Sequence, residues 1–514
     1  MKTKSFPHGI HPPELKDITA EKPLEYLSPP EKVFIPLHQH FGTPAEPLVT
    51  KGDEVLMGQK IGEAKTLFSA AVHSSVSGKV LIVDDHPHPL GRPVLTITLA
   101  NDGEDRAFEE EKRIGDPFSL SPADIRSKVR EAGIVGLGGA AFPTTVKLSP
   151  PKDKPIDTII LNGCECEPIL TADYRLMLEF SDDILKGAEL IKVATGAKHI
   201  IIGIEDNKRD IFDLFQKKSS EYSVEAALLK TKYPQGAEKN LIYALLKREV
   251  PRGGLPFDVG VVVQNVGTSK AIWDAVNSGK PLYERALTVS GEGIQEPKNL
   301  MVRIGTPFQA IIDTCGGFTE EVNILVMGGP MMGLSQWTTD VPVIKGTSGI
   351  IAWKSIPSKE YECIRCGRCL EHCPMNLVPT QIMKYIKNDL LAEAEKQGAL
   401  DCVECGCCQK RDCMNSLRLG SLSRVCEPTA IPPTAYTPMA RPPTAIYPVA
   451  IPPIPRPIPR AIPAKQSKPK PIPARVNTPT ANPPRAKTPI AIFPMAMNPM
   501  AGLNPPPPAG PYTI

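Results

Sequence analysis

Two short cysteine runs hold the residues of this chain whose spacing says most about chemistry. Cys363, Cys366, Cys369 and Cys373 are followed at once by Pro374. This is the C-x2-C-x2-C-x3-C-P pattern that wraps three thiolates around one cubane iron–sulfur cluster. A structural zinc site takes widely separated CxxC pairs, four ligands to a tetrahedron, so the triple run points to a 4Fe–4S cluster. About thirty residues on, Cys402, Cys405 and Cys408 repeat the spacing, and then the pattern slips. It calls for cysteine at 412 and proline at 413, where the chain has Asp412, Cys413 and Met414. In two-cluster proteins the fourth cysteine of each run ligates the other cluster. One cluster is therefore expected on Cys402, Cys405, Cys408 and Cys373. The other falls to Cys363, Cys366 and Cys369, with the displaced Cys413 as a makeshift fourth ligand. Cys407 and Cys426 are spare, and Cys407 reads as a packed neighbour.

A glycine loop, "GIVGLGGAAFPTTVKL" at 133–148, is the second constellation. Gly136, Gly138 and Ala141 meet G-x-G-x-x-A, but the usual dinucleotide fingerprint follows a strand and opens a long helix. Here the preceding pattern is helical and Pro143 comes two residues later. The loop reads as backbone N–H groups offered to a phosphate or a flat ring, with Lys147 supplying charge. Taken alone, a structural turn is an equal reading. It is followed by "LNGCECEP" at 161–168, which sets Asn162, Glu165 and Glu167 on a turn after a strand, where ligands of α/β sheets gather. Carboxylates there suit ribose hydroxyls. Cys164 and Cys166 alternate on that segment and are expected to be buried. "YPQGAEKNL" and "VVVQNVGTSKA" add Glu238, Asn265 and Thr268 near helix starts. No side chain is needed as a catalytic acid or base.

The elements that must position these residues fall into modules. Residues 1–34 are rich in proline and histidine and read as an extended arm. Residues 35–105 give short strands with turns, and "VTKGDEVLMGQKIG" with "VHSSVSGKV" resembles lipoyl and biotinyl barrel-sandwich hybrids. The hairpin that carries a modified lysine in those carriers has none here, between Ala71 and Val76. Residues 120–285 alternate helix and strand signals, an α/β pattern with parallel pairing; Tyr174–Thr195 reads as one helix. Residues 286–350 suggest a small β-grasp module, and 355–426 a helical domain with two ferredoxin-like cluster runs. From 427 to 514 proline recurs every few residues, which excludes helix and sheet and predicts a disordered or polyproline tail. Two readings of that tail stand: a basic linker, or a change of reading frame just after Cys408. The expected whole is a multidomain α/β protein.

The net charge of +3 hides an asymmetry. Nine lysines and arginines and no acid follow Glu427, so the first 427 residues carry about −6. Nothing in that body suggests nucleic-acid binding. No apolar run reaches a membrane span and the N-terminus lacks a signal-peptide pattern, so a cytosolic, reducing setting is expected for the 13 cysteines. A peripheral seat on a membrane complex remains compatible with this.

Together the motifs resemble a known family. "GLGGAAFPTTVK" is similar to the flavin loop of the respiratory complex I subunit that carries FMN and NADH. "NGCECEP", "GAEKNL" and "QNVGT" match its later motifs in the same order. With the "GIHPPE" arm, the sandwich module, the soluble-ligand-binding β-grasp stretch and the two cysteine runs, residues 1 to about 408 resemble the C subunits of Rnf complexes, membrane-bound ferredoxin:NAD oxidoreductases. The resemblance implies FMN on Gly136, Gly138, Gly139, Lys147, Asn162, Asn265 and Thr268. It implies nicotinamide nucleotide contacts from Phe142 by stacking, and from Glu165, Glu167 and Glu238. It also implies two 4Fe–4S clusters, NADH, a ferredoxin or other cluster-carrying partner, and a peripheral place on the cytoplasmic side of the inner membrane among other subunits. The chain departs from the complex I pattern at Cys164 (acidic there), Gln264 (asparagine) and Ala237 (one glutamate of a pair). A cobalamin reductase of the same architecture and a cluster-only electron carrier are the alternatives.

Overall fold

The computed structural model describes residues 3–108, 115–319, 322–354 and 363–408. Cys413, Cys426 and everything from 427 onward lie outside the described residues. The central sheet has four strands, Thr158–Gly163, His199–Glu205, Val224–Leu229 and Val261–Asn265, all parallel, in spatial order third, second, first, fourth. Apolar runs such as Ile200–Ile204 are continuous because both faces are covered. On one face Ile159, Leu161, Ile202 and Val262 pack against helices Ser181–Thr195, Arg209–Tyr222 and Val266–Ser278. On the other, Ile160, Ile201, Val261 and Val263 meet helix Glu238–Leu246 and Phe6 of the N-terminal arm. Strand order reverses between the first and fourth strands, so a crevice opens beyond their carboxyl ends. In that register Asn162 lies opposite Asn265.

The single helix expected over Tyr174–Thr195 is two helices, Ala172–Glu179 and Ser181–Thr195. The chain breaks at Phe180 (φ −129°, ψ 32°), and Asp182 and Asp183 fill the first turn of the second helix. Acidic residues are stabilising there because they face the positive end of the helix dipole, so the sequence favours restarting over continuing. The segment after Pro379 divides likewise, into Pro379–Lys387 and Leu391–Lys396 around Asp389 at φ +56°.

Two small sheets form the sandwich. One contains Lys32–Pro36, Val94–Asn101, Gly78–His86 and Glu54–Val55; the other contains Glu46–Pro47, Lys60–Glu63 and Val72–His73. They close on Val33, Ile35, Ile61, Val72, Val80, Ile97 and Leu99. Residues 71–77, where carriers display their lysine, are buried. Ser75 Oγ donates to the Ile304 carbonyl at 2.6 Å, and the Ala71 carbonyl accepts from Lys345 Nζ at 2.7 Å. A hairpin tied down in this way cannot swing.

A six-stranded mixed sheet follows the flavin-loop domain, with Glu284–Ser290, Lys298–Arg303, Ile324–Met327, Leu334–Gln336 and Gly349–Trp353. Its edge strand, Leu24–Tyr26, comes from the N-terminal arm and runs parallel to Lys298–Arg303. The arm is thus fastened along its length, Lys4 bridging to Leu229 and Ile10 to Tyr233 on the way. The cysteine-bearing segment builds three helices, Arg368–Glu371, Pro379–Lys387 and Leu391–Lys396, and Ile382, Ile386, Ala394 and Ala399 form their small core. Arg252 holds this module to the central domain, 2.7 Å from Asp401 and 3.0 Å from the Glu395 carbonyl.

Candidate functional site

Ser121 caps helix Pro122–Glu131 through a capping box with Asp124, which fixes where the glycine loop begins. The loop folds back on itself, Gly136 N–H donating to the Phe142 carbonyl at 2.9 Å. Leu137 N–H donates to Thr268 Oγ1 at 2.9 Å, which joins the loop to the start of helix Val266–Ser278. The three glycines have different reasons to be glycine. A Cβ on Gly138 would lie 2.6 Å from Asn265 Nδ2, whereas one on Gly136 would meet nothing closer than 3.7 Å and one on Gly139 nothing within 4 Å. Phe142 stacks on Phe41 at 5.6 Å and meets Phe68 edge-on at 6.1 Å, so the sandwich module supplies the wall behind it. Lys147 Nζ lies 2.9 Å from Glu238 Oε1 and donates to the Val263 carbonyl at 3.1 Å.

At the crevice Asn162 Nδ2 donates to the Gly236 carbonyl at 2.8 Å. Asn265 Oδ1 caps its helix, accepting from Gly267 N and Thr268 N, and its Nδ2 donates to Asp173 at 2.6 Å. Glu165 accepts from Asp173 N and Tyr174 N at the start of helix Ala172–Glu179, the favourable end for an anion. Glu167 instead accepts from Met331 N and Met332 N, both at 2.9 Å, in the six-stranded module. The structure therefore gathers Gly138, Asn265, Thr268 and Glu165 around Asp173. It pairs Lys147 with Glu238, and it sends Glu167 toward the neighbouring module. Cys164 is buried with its Sγ 3.4 Å from the Gly203 carbonyl, and Cys166 Sγ accepts from Gly236 N at 3.3 Å. Beside the crevice, both ends of the Gln235 side-chain amide and the Gln264 Nε2 are buried without a hydrogen-bond partner among the described residues. Such orphaned groups are costly and commonly mark where a polar ligand completes a site.

Burial and the neighbouring charge of Glu165 push the Asp173 carboxyl up to about 7, against the bond from Asn265. The folded value is above the unfolded one, so between about pH 4 and 7 the folded chain keeps a proton that the unfolded chain has released. The resulting stabilisation is complete below that window and is lost as pH rises through it. Asp173→Asn should flatten this fall in thermal unfolding curves and stabilise the chain at pH 8 by about 1 kcal/mol or more. Parallel curves for variant and parent would remove the argument.

Three cations support the site and belong to no motif. Lys16 of the arm donates to the carbonyls of Glu167 and Leu170. Buried Arg285 donates to the Leu137 carbonyl at 3.2 Å and to that of Lys345. Buried Lys345 donates to the carbonyls of Gly133 and Ala71, and burial pushes its ammonium down to about 7. The first part of the glycine loop thus hangs, at Gly133 and Leu137, on side chains of the six-stranded module. The one signal for Lys345 was a lysine directly after the apolar run Val341–Ile344.

Among the cysteines, Cys402, Cys405 and Cys408 share their surroundings with Cys373. Cys405, Cys402, Cys373 and Cys369 all lie near Cys408, and Cys373 lies near Cys405. Cys363 and Cys366 lie near Cys369. Backbone N–H groups point at sulfur in the first group, Leu377 N to Cys373 and Glu404 N to Cys402, both at 3.4 Å. Cys363 and Cys366 are exposed, while Cys373 and Cys405 are buried. Among the described residues no three His, Cys, Asp or Glu side chains converge as on a single ion.

Comparison with known proteins matches this layout. Residues 129–274 match the model of the Nuo51 FMN-binding domain, residues 4–104 the RnfC barrel sandwich hybrid domain, and residues 287–335 the SLBB domain. The chain is 50% identical over 397 residues to the C subunit of the proton-translocating ferredoxin:NAD(+) oxidoreductase complex of Clostridium ljungdahlii, covering 77% of this chain and 87% of that protein. It is 45% identical to the Na(+)-translocating counterpart of Acetobacterium woodii, covering 78% and 91%. Identity to the C subunit of the ion-translocating oxidoreductase complex of Rhodobacter capsulatus is 42%, covering 78% of each. Neither a cobalamin reductase nor a cluster-only carrier is favoured by these matches. With its FMN-binding domain behind an RnfC-type sandwich, the chain belongs to the family of C subunits of Rnf, the ion-translocating ferredoxin:NAD oxidoreductase complexes.

Proposed function

We propose that the crevice beyond Thr158–Gly163 and Val261–Asn265 holds FMN and, beside it, the nicotinamide nucleotide. The chain is a peripheral electron-transfer subunit of a membrane oxidoreductase complex, with the complex's other subunits, ferredoxin and NAD as its partners. No described helix is long and apolar enough to cross a membrane, and we place the subunit on the cytoplasmic face. The observation that carries the site is the bare backbone of Gly138 lying against Asn265 where Asn162 and Asn265 face each other. In this reading Gly136, Gly138, Gly139, Lys147, Asn162, Asn265 and Thr268 hold the flavin, and the unpaired Gln235 and Gln264 amides find partners on it. Phe142 offers a stacking face, while Glu165, Glu167 and Glu238 receive the nucleotide. Bound flavin supplies the exchange between the electron pair of NADH and the single electrons that clusters carry. The chain's task is to bind and orient. Cys373, Cys402, Cys405 and Cys408 hold one 4Fe–4S cluster, and Cys363, Cys366 and Cys369, with Cys413, hold the other.

The test is NADH oxidation with an artificial acceptor by Lys147→Ala and Glu167→Ala. Hydrogen bonds to charged groups contribute about 1.5–3 kcal/mol, so each variant should lose roughly ten- to a hundredfold in kcat/KM. Full turnover in both would sink the assignment.

A further inference from the structure

Tyr233 belongs to neither motif, yet it stands between the acidic turn and the second cysteine run. It is 1% exposed. Its backbone is clamped by Ile10 of the arm, each N–H donating to the other's carbonyl at 2.8 Å. Its ring shares one apolar group with Ile10, Met331, Cys405 and Cys407, with Cys166 at the margin. Among the described residues its hydroxyl has no hydrogen-bond partner. Buried tyrosine hydroxyls ordinarily find one, and leaving a polar group unmet costs about 1–3 kcal/mol. Phenylalanine would fill the same space at no such cost, so the hydroxyl calls for an acceptor that arrives with a ligand.

Glu167, Cys405, Cys166 and Cys407 are the acidic groups nearest the phenol. Glu167 already accepts from two backbone amides. A neutral thiol is a weak acceptor, whereas the thiolates and sulfides of a bound cluster carry negative charge. Resting on the ligand assignment proposed above, the geometry points to the Tyr233 hydroxyl as a hydrogen-bond donor to the sulfur of the cluster held by Cys373, Cys402, Cys405 and Cys408, raising that cluster's reduction potential. Reduction adds one negative charge, and a donor aimed at sulfur stabilises the reduced form more than the oxidised one. Cys407 assists from the same side. Its Sγ lies 3.9 Å from the Tyr233 carbonyl oxygen and shares one apolar group with Cys405. Tyr233 is a positioning and tuning residue, and it makes the two clusters unequal.

The experiment is an EPR-monitored redox titration of the full chain loaded with iron, sulfide and FMN, comparing the parent with Tyr233→Phe. The signal of the cluster in question is identified as the one that Cys402→Ala removes. Its midpoint potential should fall in Tyr233→Phe by about 60 mV, a tenfold change in a one-electron equilibrium, while the other signal keeps its potential. The cluster-free variant should unfold at a temperature no lower than the parent, because the hydroxyl it loses had no partner. An unchanged potential in a fully loaded variant overturns the role of Tyr233 alone. So does a clear drop in the melting temperature of the cluster-free form, since the hydroxyl would then have a partner within the protein. If Cys402→Ala removes no cluster, the ligand assignment falls and takes this inference with it.

Discussion

Alanine at position 138 should weaken FMN binding by on the order of ten- to a hundredfold. The added methyl would lie 2.6 Å from Asn265 Nδ2, 2.9 Å from its Cγ and 3.0 Å from its Cβ, so it meets the root of that side chain as well as its tip. Asn265 cannot step aside cheaply. Its Oδ1 caps helix Val266–Ser278, a role worth about 1 kcal/mol, and its Nδ2 is bonded to Asp173. The alternative is for the loop to lift, which strains the Leu137–Thr268 bond. Overpacking of this kind typically costs about 1–3 kcal/mol. Gly115→Ala, outside the site, is the control, because its methyl would also meet nothing within 4 Å. Titration of FMN fluorescence against flavin-free protein measures both. Equal affinities for the two variants would show that the close approach at Gly138 does not shape the site.

Cys373→Ala should remove the cluster that shares its surroundings with Cys402, Cys405 and Cys408, although Cys373 lies in the other run of the sequence. Cys373 lies near Cys402, Cys405 and Cys408, as the crossed arrangement requires. Leu377 N–H is aimed at the Cys373 sulfur as an amide donor to a bound thiolate would be. Iron analysis with EPR should find one cluster signal missing in Cys373→Ala and the same signal missing in Cys405→Ala. Cys366→Ala should leave that signal in place. If Cys373→Ala and Cys366→Ala erase the same signal, each run serves its own cluster and the crossed arrangement is wrong.

What the sequence made legible was whatever repeats locally. Apolar runs bounded by turns, such as "HIIIGIE", announce buried parallel strands because their requirement for two covered faces is written in consecutive residues. The glycine loop and the two cysteine runs are short, so each motif was visible within a few consecutive residues, as each asparagine was at the end of its own strand. The break at Phe180 was also locally written, in Ser181-Asp182-Asp183, but the apolar period running through it concealed the restart. Beyond such reach lay the residues whose partners are hundreds of positions away. Lys16 bonds to the Glu167 carbonyl, Arg285 to that of Leu137 and Lys345 to that of Gly133. Each is a cation satisfied by carbonyls, and no spacing rule connects a cation to a carbonyl in another module. Tyr233 illustrates the same limit, because an unpartnered hydroxyl becomes visible only once the fold has sealed it from water. The redirection of Glu167 toward Met331 and Met332 likewise depends on where a second module docks.

The N-terminal arm also sets a schedule for synthesis on the ribosome. Its Lys4 and Ile10 bond to residues near 230, and Leu24–Tyr26 waits for Lys298–Arg303 to complete the sheet edge. Translation at about 5–20 residues per second means that the arm spends roughly 10–60 s without its partners. During that interval Phe6, Ile10 and Leu24, all buried in the finished protein, are exposed to solvent on a tethered strand. The domain that binds flavin cannot be sealed until well over half of the described chain has emerged.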